Sequence, residues 1–170
     1  IYLSPKLFEL GILPAVDVGK SVSRVGGKAQ LSAYRSIAGN LKLAYSQFEE
    51  LETFSRFGTR LDADTRKIIE HGKRIRICFK QHELQPMSVP EQILVLLALT
   101  GDLFDTVPIS KMQEAEIALR EKNSELPTEI VKRLFSDKEL SDPDREAILD
   151  IAGNILAPFQ EKPETGENDT

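Results

Sequence analysis

A chain of 170 residues, 41 % hydrophobic and 29 % charged, is long enough for one domain with a real core and has the make-up of an ordinary globular protein. Its net charge of −5 argues against a general nucleic-acid binder, and its single cysteine, Cys78, excludes an internal disulfide and any cysteine-based zinc site. Two histidines, His71 and His82, with no carboxylates at ligand spacing, give no metal site; the apolar run Ile93–Leu99 is far short of the ~20 residues that span a bilayer; and the start shows no leader-peptide pattern.

In chain order, Leu13-Pro-Ala-Val-Asp-Val18 reads as a short strand, with Pro14 at its start, where a missing N–H does least harm. Glycines 11, 19, 26 and 27 punctuate this segment. A long helix begins near Lys28: Tyr34, Ile37, Leu41, Ala44, Phe48 and Leu51 recur at spacings of three and four, hence on one face. Gly39 is a place for that helix to bend or break, and Gly58 a place for it to stop. Asp62 is the N-cap of a second helix, with Ile68, Gly72, Ile75 and Phe79 along one side and Arg66, Lys67, Lys73, Arg74, Arg76 and Lys80 as a solvated basic remainder. Cys78 reads as core and His71 as a partly exposed helix histidine. Ser88-Val-Pro-Glu91 is a capping box before an all-round apolar, and therefore buried, helix. Ser110-Lys-Met-Gln113 has the same pattern and opens a helix to about Asn123. Pro127 separates it from Thr128–Phe135. Ser141 caps the last helix, acids follow in its first turn, and Pro158 ends it. Residues 161–170 are polar and acidic, as a disordered tail is. The fold class is thus all-α, five or six packed helices after a strand and loop.

Chemistry concentrates near the start. Gly19-Lys20-Ser21 suggests a phosphate-binding P-loop, but that motif needs a glycine where Pro14 stands and a helix directly afterwards. Arg24 is the better candidate. A loop after a strand can hold a guanidinium, a fixed fork of donors suited to phosphate oxygens, at a domain edge.

The run Pro14-Ala-Val-Asp-Val-Gly-Lys-Ser-Val-Ser23 resembles the signature of the alpha and beta subunits of F-type ATP synthases, and Arg24-Val-Gly26 resembles the alpha subunit in particular. Phe57-Gly-Thr-Arg-Leu-Asp62, Lys80-Gln81, Pro86-Met87 and Glu91-Gln92 follow in the order found in the C-terminal region of an alpha subunit. The resemblance covers about residues 1–158. It implies a remnant of the nucleotide-binding domain at 1–27, the C-terminal helical domain at 28–158 and a tail at 159–170. It implies that Arg24 is an arginine finger reaching the γ-phosphate held by a beta subunit. Ser21 matches a serine important for catalysis, and Pro14 and Gln81 match residues around the adenine of the alpha subunit's own noncatalytic nucleotide. The intact subunit would use ATP or ADP with Mg2+; this stretch, lacking the P-loop, would hold neither and be inactive alone. The partners would be alternating beta subunits and the central gamma shaft, at the cytoplasmic face of the bacterial inner membrane and touching it only through the complex.

The sequence departs from the family at Leu13, where arginine is usual, at Glu83, where a second adenine-pocket glutamine is usual, and at Lys20, commonly apolar. These departures point to a divergent branch such as the N-type bacterial ATPases. The alternative is a helical interaction module with no catalytic role. Residues 1–27, without the rest of their sheet, would have unpaired strand edges and are expected to rearrange or pair with another copy.

Overall fold

The computed structural model describes residues 1–55 and 61–161. The expected helix stop at Gly58 and the acidic tail from residue 162 onward lie outside the described residues. Eight α-helices account for most of the rest: α1 (Pro5–Glu9), α2 (Gly26–Ala29), α3 (Ser32–Ser55), α4 (Ala63–Cys78), α5 (Val89–Thr100), α6 (Met112–Glu121), α7 (Thr128–Leu134) and α8 (Asp142–Leu156). The all-α expectation holds, with six helices after residue 30 forming the bundle.

The strand expected over Leu13–Val18 is not there. Among the described residues the β-structure is one antiparallel bridge, Leu3 with Val16. The Ser4 N–H donates to the Ala15 carbonyl (2.8 Å) and the Asp17 N–H to the Tyr2 carbonyl (2.9 Å), so the segment folds back on itself. The reversal follows α1 at Gly11, whose φ of 66° is one that a side chain would disfavour. Pro14 has no N–H to offer, and the Val16 N–H turns onto the Pro14 carbonyl (2.8 Å), so no ladder extends along this segment.

Helix formation after residue 25 comes in two pieces. Gln30 is extended (φ −75°, ψ 146°) and separates the single turn of α2 from α3, so the long helix starts at Ser32 instead of Lys28. It then runs unbroken through Gly39. Ala33, Ile37, Leu41, Tyr45 and Phe48 form its buried face. On α4 the Asp62 carboxylate accepts from the Thr65 N–H (2.7 Å), as the sequence indicates. The inward residues are Ile69, Gly72, Ile75 and Cys78; Ile68 is turned outward. Both isoleucines fit a helical period, and the choice is made by the approach of α3. A Cβ placed on Gly72 would lie 2.1 Å from Phe48 Cγ, so Gly72 marks the contact line, and Ile69 is on it.

Helix α5 is the centre of the bundle. The Ser88 Oγ accepts from the Glu91 N–H and the Glu91 carboxylate accepts from the Ser88 N–H (2.6 Å), closing the expected box. Ile93, Leu94, Val95, Leu97, Ala98 and Leu99 are all buried, and α3, α4, α6, α7 and α8 pack around them. The second expected box fails. Pro108 starts a 3-10 turn over Ile109–Lys111, which places Ser110 inside the helical run, and Lys111 opens α6 with no side-chain cap. Ser141 does cap α8, accepting from the Asp144 N–H at 3.3 Å. Asp144 also takes two charge-assisted bonds from Arg133 (2.9 and 2.6 Å), which ties α8 to α7. Pro158 lies within a final 3-10 turn, Ala157–Phe159, that prolongs α8.

Candidate functional site

The four residues singled out by sequence fall in two places. The first is the loop from Asp17 to Gly26. Asp17 is an acceptor for the turn that follows it: the Lys20 N–H donates to its carboxylate (2.9 Å), the Lys20 ammonium lies 3.0 Å away, and the Ser21 N–H donates to its carbonyl (3.0 Å). The main-chain bond from Lys20 is the chief reason that the Asp17 carboxyl titrates below its usual range. Lys20 is therefore folded back on its own turn, and no helix begins at Ser21, unlike the arrangement of a phosphate cradle. Ser21 is a tether. Its Oγ accepts from the Tyr2 N–H (3.0 Å) and its carbonyl from Lys42 Nζ on α3 (3.0 Å).

Beyond Ser21 the backbone stands clear of the bundle. The Ser23 Oγ accepts from the N–H groups of Gly26 (2.8 Å) and Val25 (3.4 Å), forming a compact turn around Arg24. Arg24 is exposed, and among the described residues no hydrogen bond or ion pair engages its guanidinium. Val22 and Val25 flank it at 75 % and 68 % exposure. A cation with all its donors unused, set between two bare apolar side chains on a short turn, is suited to an anion on another surface.

The second place is a groove of about 810 Å3 between the Gly11–Leu13 turn, the end of α4 and α6. The Gln81 N–H donates to the Leu13 carbonyl (3.0 Å), and the Gln81 side chain donates to the Gln85 carbonyl (3.1 Å). Gln81 thus faces the groove beside Leu13 and Glu83, two of the three positions at which the sequence departs from the family pattern. Pro14 adjoins Leu13 but does not line the groove. On the far wall, burial pushes the Glu116 carboxyl above its usual range, with Arg120 at 3.6 Å opposing the shift. The Arg120 Nε is buried without a hydrogen-bond partner, 3.9 Å from Glu91. The groove is lined mainly by polar and charged side chains, with Leu13, Ile77, Ile109 and Ile117 as its apolar part. The described residues bring no phosphate cradle to it.

The basic residues of α4 are not all a solvated face. Arg66, Lys67, Lys73 and Lys80 are exposed, but Arg74 is buried, and Arg76 makes a two-pronged pair with Glu52 (2.7 and 3.1 Å) beneath the Phe48 ring, 4.4 Å from its centroid. Their position on either side of Ile75, between Gly72 and Phe79, was the available signal. His71 pairs with Asp105 (2.8 Å) and lies 3.6 Å from Asp102. Imidazole and carboxylate satisfy each other there, and the group reads as an ion pair. Cys78 is buried and its thiol is pushed far up by desolvation, so it is inert packing.

The family model for the C-terminal domain of the ATP synthase alpha/beta chain matches residues 30–155, which takes in α3 to α7 and nearly all of α8. The protein belongs to this family. The ATP synthase subunit alpha 2 of Albidiferax ferrireducens is 65 % identical over 164 residues, which is 96 % of this chain and 31 % of that protein. Subunit alpha 1 of Shewanella frigidimarina is 62 % identical over 94 % of the chain and 31 % of its own length, and subunit alpha 1 of a Marinomonas species 60 % identical over 98 % and 33 %. The chain spans about a third of the length of the curated relatives it matches, corresponding to their C-terminal part. Within this ATP synthase C-terminal domain family, Gln81 falls inside the matched domain, whereas Pro14, Ser21 and Arg24 precede it.

Proposed function

We propose that this chain is the C-terminal part of an F-type ATP synthase alpha subunit and that it contributes Arg24 to a catalytic site held mainly by a neighbouring beta subunit. The observation that carries the reading is the identity of about two residues in three, along nearly the whole chain, to proteins named as ATP synthase alpha subunits. Residues 1–27 are then the end of the nucleotide-binding domain, and residues 28–158 the helical domain that packs beside the beta neighbours around the gamma shaft.

The chemistry follows from the loop. ATP and Mg2+ are supplied by the intact assembly, where the metal and the phosphates are gripped by P-loops outside this chain. As the γ-phosphoryl group transfers, negative charge spreads over its oxygens, and a guanidinium placed against them lowers the barrier. Arg24 has its donors unused, and the Ser23 turn and the Ser21 tether limit how far it can swing. In the alpha subunit's own noncatalytic site, Gln81 and the Leu13–Pro14 turn would lie along the base. Rotation of the shaft, driven by ion flow through the membrane sector, would change nucleotide affinity at each interface in sequence. No helix among the described residues is long and apolar enough to cross a membrane, and association with one would be through the complex, at the cytoplasmic face of the bacterial inner membrane.

The direct test is co-production of the full-length subunit with the beta and gamma subunits of the same organism. The expected product is an alternating alpha–beta hexamer around one gamma that hydrolyses ATP. Stable folded subunit that never enters such a hexamer would point to a noncatalytic interaction module instead.

A further inference from the structure

The 102–107 loop, which leaves the end of α5, is held against α4 by two side chains one turn apart. Arg74 donates from Nε to the Phe104 carbonyl (2.8 Å), from Nη2 to the Val107 carbonyl (3.0 Å) and from Nη1 to the Glu70 carbonyl of its own helix (3.0 Å). His71 Nδ1 lies 2.8 Å from Asp105 Oδ1, between the two carbonyls that Arg74 grips, and 3.6 Å from Asp102 Oδ1. The loop in turn holds the start of the C-terminal segment. Gln160 Nε2 donates to the Leu103 carbonyl (3.1 Å), and the Glu161 N–H donates to the Thr106 carbonyl (3.0 Å). One cation in this arrangement is permanent and the other is not. A guanidinium is a permanent cation, whereas an imidazole gains and loses its proton near neutrality.

We propose that His71 and Asp105 form a proton-operated latch that closes the 102–107 loop, and the residue 160–161 segment resting on it, onto α4. With the proton on, Nδ1–H donates to a carboxylate under full charge attraction. With the proton off, the Nδ1–H tautomer keeps a hydrogen bond to the carboxylate but loses the ion-pair attraction, and the other tautomer sets a ring lone pair against the carboxylate. Arg74 holds Phe104 and Val107 in both states, so the motion is confined to Asp102, Asp105 and the segment they support. The charged groups facing His71 are Asp105 and Asp102 from the loop and Arg74 from its own helix. The hydrogen bond to Asp105 raises the imidazole's pKa, half-burial opposes it, the two carboxylates add to the rise and Arg74 subtracts; the net position is above the ordinary 6.5. A raised folded-state pKa means that the latch is fully engaged below 6.5 and is lost as pH climbs through the higher folded value.

Amide hydrogen exchange of the full-length protein, read by mass spectrometry between pH 6 and about 8.5 and corrected for intrinsic exchange, tests this. Peptides covering 102–107 and 159–161 should lose protection severalfold over that range, while those from α5 and α8 do not change. His71→Arg, which fixes the charge, should remove the pH dependence and keep the protection. His71→Gln and Asp105→Asn should be open already at pH 6. A wild-type loop whose protection does not vary with pH, or a His71→Arg loop that opens with pH as the wild type does, would overturn the latch. If His71→Gln fails to fold, the comparison of wild type with His71→Arg and Asp105→Asn still decides.

Discussion

Two glycines on facing stretches of the bundle show how one missing Cβ acts in opposite ways. Gly72 on α4 is buried under Phe48, and an added Cβ would lie 2.1 Å from Phe48 Cγ and 2.2 Å from its Cβ. Phe48 is fully buried and its Cβ cannot rotate away, so the helices themselves must part. Alanine gains about 1 kcal/mol of helix propensity over glycine, but overpacking costs about 1–3 kcal/mol and sometimes more. Gly72→Ala is therefore expected to destabilise, by up to about 2 kcal/mol and sometimes more, in urea unfolding. Gly39 on α3 has nothing within 4 Å of its virtual Cβ, and Gly39→Ala should stabilise by up to ~1 kcal/mol. Equal shifts for the two would contradict this packing. The same contrast explains why Gly39, which the sequence offers as a break, is not one. A glycine interrupts a helix only where something else competes for the backbone, and on α3 the buried face continues on both sides of it.

Among the elements, caps were the most legible feature. Asp62, Ser88 with Glu91, and Ser141 each need only four residues of sequence and form as the spacing indicates. Ser110 has an equally good pattern and does not cap, because Pro108 starts a helical turn two residues earlier. The Leu13–Val18 strand was legible as composition but not as structure. A strand is made by its neighbours, and with Pro14 and the Val16 turn withdrawing donors, the segment's pairing is with Tyr2 and Ser4 instead. It folds back on its own N-terminal residues in place of an isolated strand. The two inward-turned arginines of α4 were hidden in a basic run, since charge patterning alone does not say which cations find carbonyls or a carboxylate across the bundle. Because α5 is the hub of the core, its start should matter to the whole domain. Ser88→Ala removes one half of the box and is expected to cost about 1 kcal/mol, read as a lowered urea midpoint with an unchanged m-value.

At the scale of the whole molecule, the structure separates what this chain does for itself from what it offers to others. Within the bundle from α3 to α8, Arg74, Arg76–Glu52 and Arg133–Asp144 are satisfied internally, whereas the Arg120 Nε beside the groove is not. Among the groups that face outward are the groove beside Gln81 and the tethered turn carrying Arg24. Arg24 and Gln81 are proposed from the run of residues around them, whereas the groove's far wall, Glu116 and Arg120, was not visible in the sequence, because α6 comes next to the Gln81 turn only in the folded protein. Family membership accounts for the bundle. It is Arg24 that makes the reading a catalytic one. The most direct measurement is steady-state ATP hydrolysis by the assembled alpha–beta–gamma complex carrying Arg24→Ala. Turnover should fall by about 10^3-fold or more, the usual worth of an arginine finger, while assembly and nucleotide binding persist. Turnover near the wild-type rate in a fully assembled complex would contradict the account.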